Sequence, residues 1–410
     1  MLIKTVCLFS RLAFRNIFRN KKRTFSALFT VSIGACALMV FLGFNTGIMN
    51  QYRDNTIRAK YGNGQLNTAN YLNSVYERPW EHWIENPEVV MASMRSLPMV
   101  TNVFPRITFY ALLSNGQMNV AGVGEAVDGV QEGPFFTMLT FDSGKLFSSE
   151  SDGIVVGKGL ARALNVKVGD RVTVLLNNIN GSLNGADLNV TGIFWTGLKD
   201  FDDRYFRIQI KEAQKLLETN RVESIAVGLR EVSDWNAYAI EMKTRHPELD
   251  ATGFEVLDEV FYKHAVDFLA QQFAFIKIII LFIVFLGIFN TVSTAVMERA
   301  GEIGTLRANG EYGYEVASVI MLEHFFLGLI GVILGIGLAV LLSLTLLRNG
   351  IAMPPSPGIT KSFSIFLEME WWHIPPIIIG GVLTTVLGCV LPIIKLVRMP
   401  ITDLLKHSGY

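Results

Sequence analysis

The chain has 410 residues, 50% of them hydrophobic and only 18% charged, with 36 Lys and Arg balancing 36 Asp and Glu. Two or three soluble domains would fit in that length, but the apolar residues gather in long blocks instead. A net charge of zero argues against a nucleic-acid partner. The three cysteines, Cys7, Cys36 and Cys389, offer neither a disulfide framework nor metal-type spacing.

Residues 1–23 alternate apolar positions such as Leu12, Phe14 and Ile17 with Arg11, Arg15 and Arg19. This is the pattern of an amphipathic helix lying along a membrane surface, its basic side toward headgroups. The stretch from Thr24 to Tyr52 then carries no charge, and its apolar part is long enough to cross a bilayer core of about 20 residues. Its length favours a signal anchor over a cleaved signal peptide. Three more uncharged runs, Ile278–Met297, His324–Leu347 and His373–Ile394, have the same character. Lys and Arg lie before the first run (Arg11 to Arg23) and after the fourth (Lys395, Arg398, Lys406), which predicts that both termini face the cytosol.

The predicted order is an N-terminal helix over 1–23 and a first transmembrane helix over 24–48. A large outer domain over 49–267 and a second transmembrane helix over 268–297 follow. Next come a cytosolic segment at 298–314, a third transmembrane helix at 315–347, and an outer Pro-rich loop at 348–373. A fourth transmembrane helix at 374–396 and a cytosolic tail at 397–410 complete the chain. The fold class is therefore membrane α-helical, with four transmembrane helices and an α+β domain inserted between helices 1 and 2. That insert is far too long for a connecting loop. Its strand-like runs at Val103–Leu113, Met118–Val123, Gly153–Val156, Arg171–Leu176, Leu188–Phe194, Tyr205–Ile210 and Ser224–Gly228 alternate with helical patterns. They predict one mixed subdomain built from the flanks and one β-rich subdomain over about 130–200.

Met353-Pro-Pro-Ser-Pro-Gly358 excludes helix in the second outer loop, and Trp371 with Trp372 sits where interfacial aromatics are expected. In the third span, Gly331 and Gly335 form a small-xxx-small face suited to a close helix contact. Glu323 and His324 fall near the inner end of that span and are expected to reach cytosolic water.

There is no Walker A sequence, no H-E-x-x-H and no G-x-S-x-G. The six histidines are scattered without ligand spacing, so no catalytic, cofactor-binding or metal residue is predicted, and the chain is not expected to be an enzyme. The polar stretch between the second and third spans is the feature that needs a purpose. Within Glu298-Arg-Ala-Gly-Glu-Ile-Gly-Thr-Leu-Arg307, Glu298 and Glu302 are i,i+4 neighbours and Arg299 with Glu302 is an i,i+3 pair. Ile303 and Leu306 would form one apolar edge. Glu298, Arg299, Glu302, Ile303, Gly304, Thr305, Leu306 and Arg307 are the candidate contacts for a soluble partner; a plain polar connection is the alternative.

The run Phe289-Asn-Thr-Val-Ser-Thr-Ala-Val-Met-Glu-Arg-Ala-Gly-Glu-Ile-Gly-Thr-Leu-Arg-Ala-Asn-Gly310 resembles the most characteristic segment of the FtsX-like permeases, the transmembrane subunits of type VII ABC systems. That group includes the lipoprotein-releasing Lol-type and the MacB-type permeases. Gly153–Val172 is similar to the family's periplasmic domain, and the resemblance extends to the whole plan of spans.

The resemblance implies a multi-pass protein of the bacterial inner membrane, its large domain in the periplasm. It also implies that 298–307 is a coupling helix docking on an ABC ATPase dimer. MacB carries its ATPase fused at the N-terminus. The present sequence shows none, so a separate ATPase polypeptide, with its own ATP and Mg, is expected. Other implied partners are a second copy of the permease or a homologue, membrane lipid, and a periplasmic lipoprotein carrier or adaptor. The implied work is extraction of lipoproteins or similar amphiphiles from the outer leaflet. The alternative is MacB-like mechanotransmission, driving efflux of a periplasmic substrate or activating a partner without transport through the spans.

Phe41, Phe44, Phe275, Ile279 and Phe282, near the outer ends of spans one and two, are candidate lining for an acyl-chain cavity. Carrier-recruiting Lol-type permeases project a proline-bearing hairpin from the β-rich subdomain. The corresponding segment here, Asn177, Asn178, Ile179, Asn180, Gly181, Ser182, Leu183, Asn184, Gly185 and Ala186, lacks proline. It reads as a hairpin of different chemistry.

Overall fold

The computed structural model describes residues 21–69, 71, 78–147, 153–354 and 363–406. The expected surface helix before residue 21, Cys7, most of the proline segment and the last four residues lie outside them. The chain divides into a helical unit (1–50, 267–352 and 364–410) and an α/β unit (51–266 and 353–363).

In chain order, helix α1 (Lys21–Thr56) runs into a wide turn at Ile57–Tyr61 and strand β1 (Gly64–Thr68). Then come α2 (Pro87–Arg95), β2 (Val100–Ser114), β3 (Asn119–Val127), α3 (Gly129–Phe135), β4 (Thr140–Gly144), β5 (Gly153–Gly157) and α4 (Lys158–Leu164). These lead to β6 (Arg171–Asn177), β7 (Leu183–Trp195), β8 (Tyr205–Gln209), α5 (Ile210–Leu217), β9 (Ser224–Leu229), α6 (Trp235–Arg245) and β10 (Leu249–Gly253). The remainder is α7 (His264–Met297), α8 (Ala300–Ala308), α9 (Gly313–Leu344), β11 (Ile351–Met353), β12 (Phe363–Ile365), α10 (Ile374–Arg398) and α11 (Ile401–Lys406).

Among the described residues, four stretches are long and apolar enough to cross a bilayer: Thr24–Tyr61, His264–Met297, Gly313–Leu344 and Trp371–Arg398. We call them spans 1 to 4. Lipid tails give apolar helices no hydrophobic reason to associate, so close backbone approach and hydrogen bonds must hold them. Span 3 supplies both. A Cβ on Gly335 would lie 2.4 Å from the Ser32 carbonyl oxygen and 2.7 Å from the Ala35 Cβ, and one on Gly331 would meet Val31 at 2.7 Å. The Ser32 hydroxyl donates to the Gly331 carbonyl at 2.9 Å. The small-residue face thus receives span 1 of its own chain. Gly328 packs on Thr385 and Gly381 on Val332, which brings span 4 to another side of span 3.

In the α/β unit, six strands close into a ring: β2 pairs β3, β3 pairs β8, β8 pairs β5, β5 pairs β7, β7 pairs β6, and β6 returns to β2. Closure leaves no free edge within the ring. Alternation along β6 turns Val172, Val174 and Leu176 inward, where they share one core with Ile154, Val156, Phe206 and Ile208. The 15-residue β2 also pairs β9 through its first half, and β9 is followed by β1 and β10. The expected β-rich range of about 130–200 is therefore too narrow, because β2 and β3 enter the ring from before it and β8 from after it. Such long-range pairings leave no local trace.

A charge network is buried beside this ring. Arg207 on β8 lies 2.9 Å from Glu125 on β3, and Lys60, in the turn after α1, reaches the same carboxylate at 3.3 Å. Arg106 on β2 pairs with Glu132 on α3 at 2.8 Å, donates to the Lys60 carbonyl, and stacks over Phe136 at 4.4 Å. Burial alone would push the Glu125 carboxyl up, but Arg207, Lys60 and Arg106 together hold it down at about 2.

Removing one partner of such a pair strands the other in low dielectric. Glu125→Gln should therefore cost about 3–5 kcal/mol of stability, read as lost hydrogen-exchange protection in β3 and β8 of the full-length protein. The sign with pH follows from the depressed value. The folded carboxyl titrates below the ordinary 4.5, so its contribution is complete above that pH and is lost as pH falls toward about 2. Acid unfolding of this unit should flatten in Glu125→Gln; an unchanged acid profile would show that Glu125 is not the titrating group.

Candidate functional site

Most of the stretch 298–307 lies in a distinct helix. Span 2 ends at Met297, Glu298 and Arg299 make a turn, and α8 begins at Ala300. Arg299, with φ −95° and ψ 8°, stands at its N-cap. Beyond its C-terminus Gly310 has φ +98°, a conformation that costs glycine nothing and turns the chain toward α9. There Glu315 accepts the Tyr312 N–H at 3.2 Å.

One side of α8 is buried and the other open. Ala300, Ile303 and Gly304 are buried, with Ala300 and Ile303 in the same apolar core as Leu404. Glu298, Glu302, Thr305 and Leu306 are exposed. Ile303 and Leu306 therefore do not form one apolar edge for a partner. Ile303 is turned into its own bundle, and Leu306 alone is offered, 40% exposed.

The two arginines also turn inward. Arg307 is half-buried and donates through Nη1 to the Met399 carbonyl at 2.8 Å, just past span 4. Arg299 is only 9% exposed; its Nε donates to Glu302 at 3.1 Å and its Nη1 to Glu323 of span 3 at 2.5 Å. This corrects the expectation for Glu323 and His324. Both are 4% exposed and reach no bulk water, because Glu323 is held by Arg299 and the His324 Nδ1–H donates to the Ile320 carbonyl at 2.8 Å. A signal for the pair was present, since a carboxylate inside a span calls for a cation within reach. The sequence could not say which cation.

The proposed lining of an acyl cavity is not brought together within one chain. Phe41 and Phe44 pack edge-on against Phe273 at 6.1 and 6.2 Å. Phe275, Ile279 and Phe282 face outward, with Phe275 66% and Phe282 61% exposed. A cleft of about 440 Å³ lies elsewhere in the helical unit, lined by Ser343, Leu344, Leu347, Arg348, Phe366 and Leu367.

The connection of the hairpin is shorter than its sequence suggested, because β7 begins at Leu183. Asn177 ends β6 and pairs with Leu183, which opens β7, while Asn184 and Gly185 are already in the ladder. The connection is Asn178–Ser182. Asn178 closes it, its Oδ1 accepting the N–H groups of Asn180 and Ser182 at 3.0 and 2.9 Å, and Gly181 takes the positive φ of the turn. The tip is tied back to the end of α5: Ile179 N–H donates to the Leu217 carbonyl, the Asn184 amide to Leu216, and the Asn180 amide to Glu218. It is a braced turn rather than a free projection.

The FtsX-like permease C-terminal family matches residues 274–401, and the MacB-like periplasmic core domain matches residues 24–245. The lipoprotein-releasing system transmembrane protein LolC of Neisseria meningitidis serogroup B is 27% identical over 354 residues, covering 79% of this chain and 79% of that protein. The macrolide export ATP-binding/permease protein MacB of Bdellovibrio bacteriovorus is 22% identical over 393 residues, covering 88% of this chain but 58% of that protein. Among solved structures, the periplasmic region of MacB from Actinobacillus actinomycetemcomitans is similar with a TM-score of 0.36 and 11% identity, over 48% of this chain and 92% of that one. The two family matches take in most of the α/β unit and most or all of each of the four spans, and the chain belongs to the FtsX-like permeases that carry a MacB-type periplasmic core domain.

Proposed function

We propose that this permease of the Lol and MacB type sits in a bacterial inner membrane with both termini cytosolic, and docks a separate ABC ATPase through α8. On this reading it uses ATP-driven motion to lift lipid-modified proteins or similar amphiphiles from the outer leaflet. The observation that carries the docking is the one-sided exposure of α8. Glu298, Glu302, Thr305 and Leu306 face out, while the opposite side is locked into the bundle. A surface of carboxylates around one exposed leucine suits a groove on a soluble partner. The similarity to LolC over most of both chains supports the lipoprotein class. Withdrawing one chain of about 15 methylenes from a bilayer costs on the order of 12 kcal/mol at about 0.8 kcal/mol each, so an external energy source is required.

The braced, proline-free turn at Asn178–Ser182 favours a second reading, in which no carrier is recruited there and the outer domain drives a periplasmic partner as a mechanotransmitter. Purification of the full-length chain in mild detergent separates the two. A co-purifying lipoprotein supports extraction, and a periplasmic adaptor supports mechanotransmission.

Leu306→Asp should weaken association with the co-purifying ATPase at least tenfold and remove permease-stimulated ATP turnover, while membrane insertion is unchanged. Binding and turnover equal to the unmodified protein would overturn the docking assignment.

A further inference from the structure

The joint between span 2 and α8 is a break. Glu298 and Arg299 lie outside both helices, so backbone continuity alone makes a poor lever between them. What bridges from this joint into the bundle is polar and buried. Arg299 Nη1 meets Glu323 at 2.5 Å, and both residues are under one-tenth exposed. Glu323 lies ten residues into the 32-residue α9, so at 1.5 Å per residue the contact falls about 15 Å along span 3. Around the pair, Thr24, Ala27, Ala295, His324 and Leu327 line a void of about 10 Å³, at the lower limit for a single water. Spans 1, 2 and 3 thus converge on one ion pair.

Burying a charge pair is a weak route to stability, and well-packed apolar residues commonly do as well or better. Ionisable groups inside spans are expensive enough that they point to a functional role. A short charge-assisted contact has a property that apolar packing lacks. It resists sliding, because shifting either partner by a few ångströms leaves a desolvated charge unpaired.

Resting on the docking reading above, we propose that the Arg299–Glu323 pair is a strut that carries displacement of the ATPase-docking helix directly into span 3. Arg299 and Glu323 are then positioning residues for coupling, and the partner-facing surface is left to Glu298, Glu302, Thr305 and Leu306. Span 3 packs against span 1 through Gly331 and Gly335 and against span 4 through Gly328, so movement of span 3 must displace both neighbours or break those contacts.

The test compares Glu323→Gln with Glu323→Asp in the full-length permease, reconstituted in nanodiscs with the ATPase that co-purifies with it. Arg299 keeps Glu302 at 3.1 Å in both variants, so its charge is not left wholly unpaired. In Glu323→Gln, ATPase association should stay within twofold of the parent while permease-stimulated ATP turnover falls at least tenfold; Glu323→Asp should keep at least half. Spin labels at Ala308→Cys and Leu338→Cys, both exposed, should report an ATP-dependent distance change in the parent that is lost in Glu323→Gln. Equal turnover in the Gln and Asp variants would overturn the strut. So would loss of ATPase association in Glu323→Gln, which would make the pair a folding brace only. Retained association in Leu306→Asp, by contrast, would place the failure in the docking reading on which the strut rests, whatever the Glu323 variants show.

Discussion

How closely a neighbour can approach span 3 governs the helical unit. In a bilayer, apolar surface gives little reason for helices to associate, so contact depends on backbones coming near enough for van der Waals and carbonyl interactions. Gly331 and Gly335 lower the surface of span 3 where Val31, Ser32 and Ala35 of span 1 fit, and Gly328 does the same for Thr385 of span 4. Larger residues at these positions would hold the helices apart. Span 3 also carries the buried Glu323, which Arg299 reaches from the turn after span 2, so its neighbours meet it through both close backbone contact and a polar link.

The α/β unit solves a different problem with similar means. Its ring of six strands removes free edges, and the charges beside it are matched rather than avoided. Arg207 and Lys60 share Glu125, and Arg106 takes Glu132. These five residues come from β2, β3, β8, α3 and the turn after α1, so the network ties the entry of the chain into this unit to the middle of its sheet. A large buried network of this kind specifies one arrangement strongly, because every alternative register leaves a charge without its partner.

The functional reading changed most at α8. As a sequence it was a polar decapeptide with charges of both signs, all of them available to a partner. In the fold the charges divide by sign. The arginines turn inward, Arg299 to Glu323 and Arg307 to the Met399 carbonyl, and the carboxylates turn outward. What remains for a partner is acidic with one exposed leucine, a narrower and more testable surface. The segment read from sequence as a polar, proline-free hairpin has a short turn, in which Asn178 and Asn184 spend their amide groups on tying it down.

The four spans, their order around a large insert, and the polar stretch between spans 2 and 3 were legible because each is a local property: a continuous apolar run, or a short polar segment between two such runs. The same holds for most of the strands, whose alternation is written residue by residue. Closure of the ring, the choice of span 1 as the partner of Gly331 and Gly335, and the burial of Ile303 beside an exposed Leu306 were not legible, since each depends on residues far apart in the chain meeting in one geometry. Glu323 lies between the two cases. Its place near the inner end of a span read as contact with cytosolic water, and the packing of span 3 against the start of α8 gave it Arg299 instead.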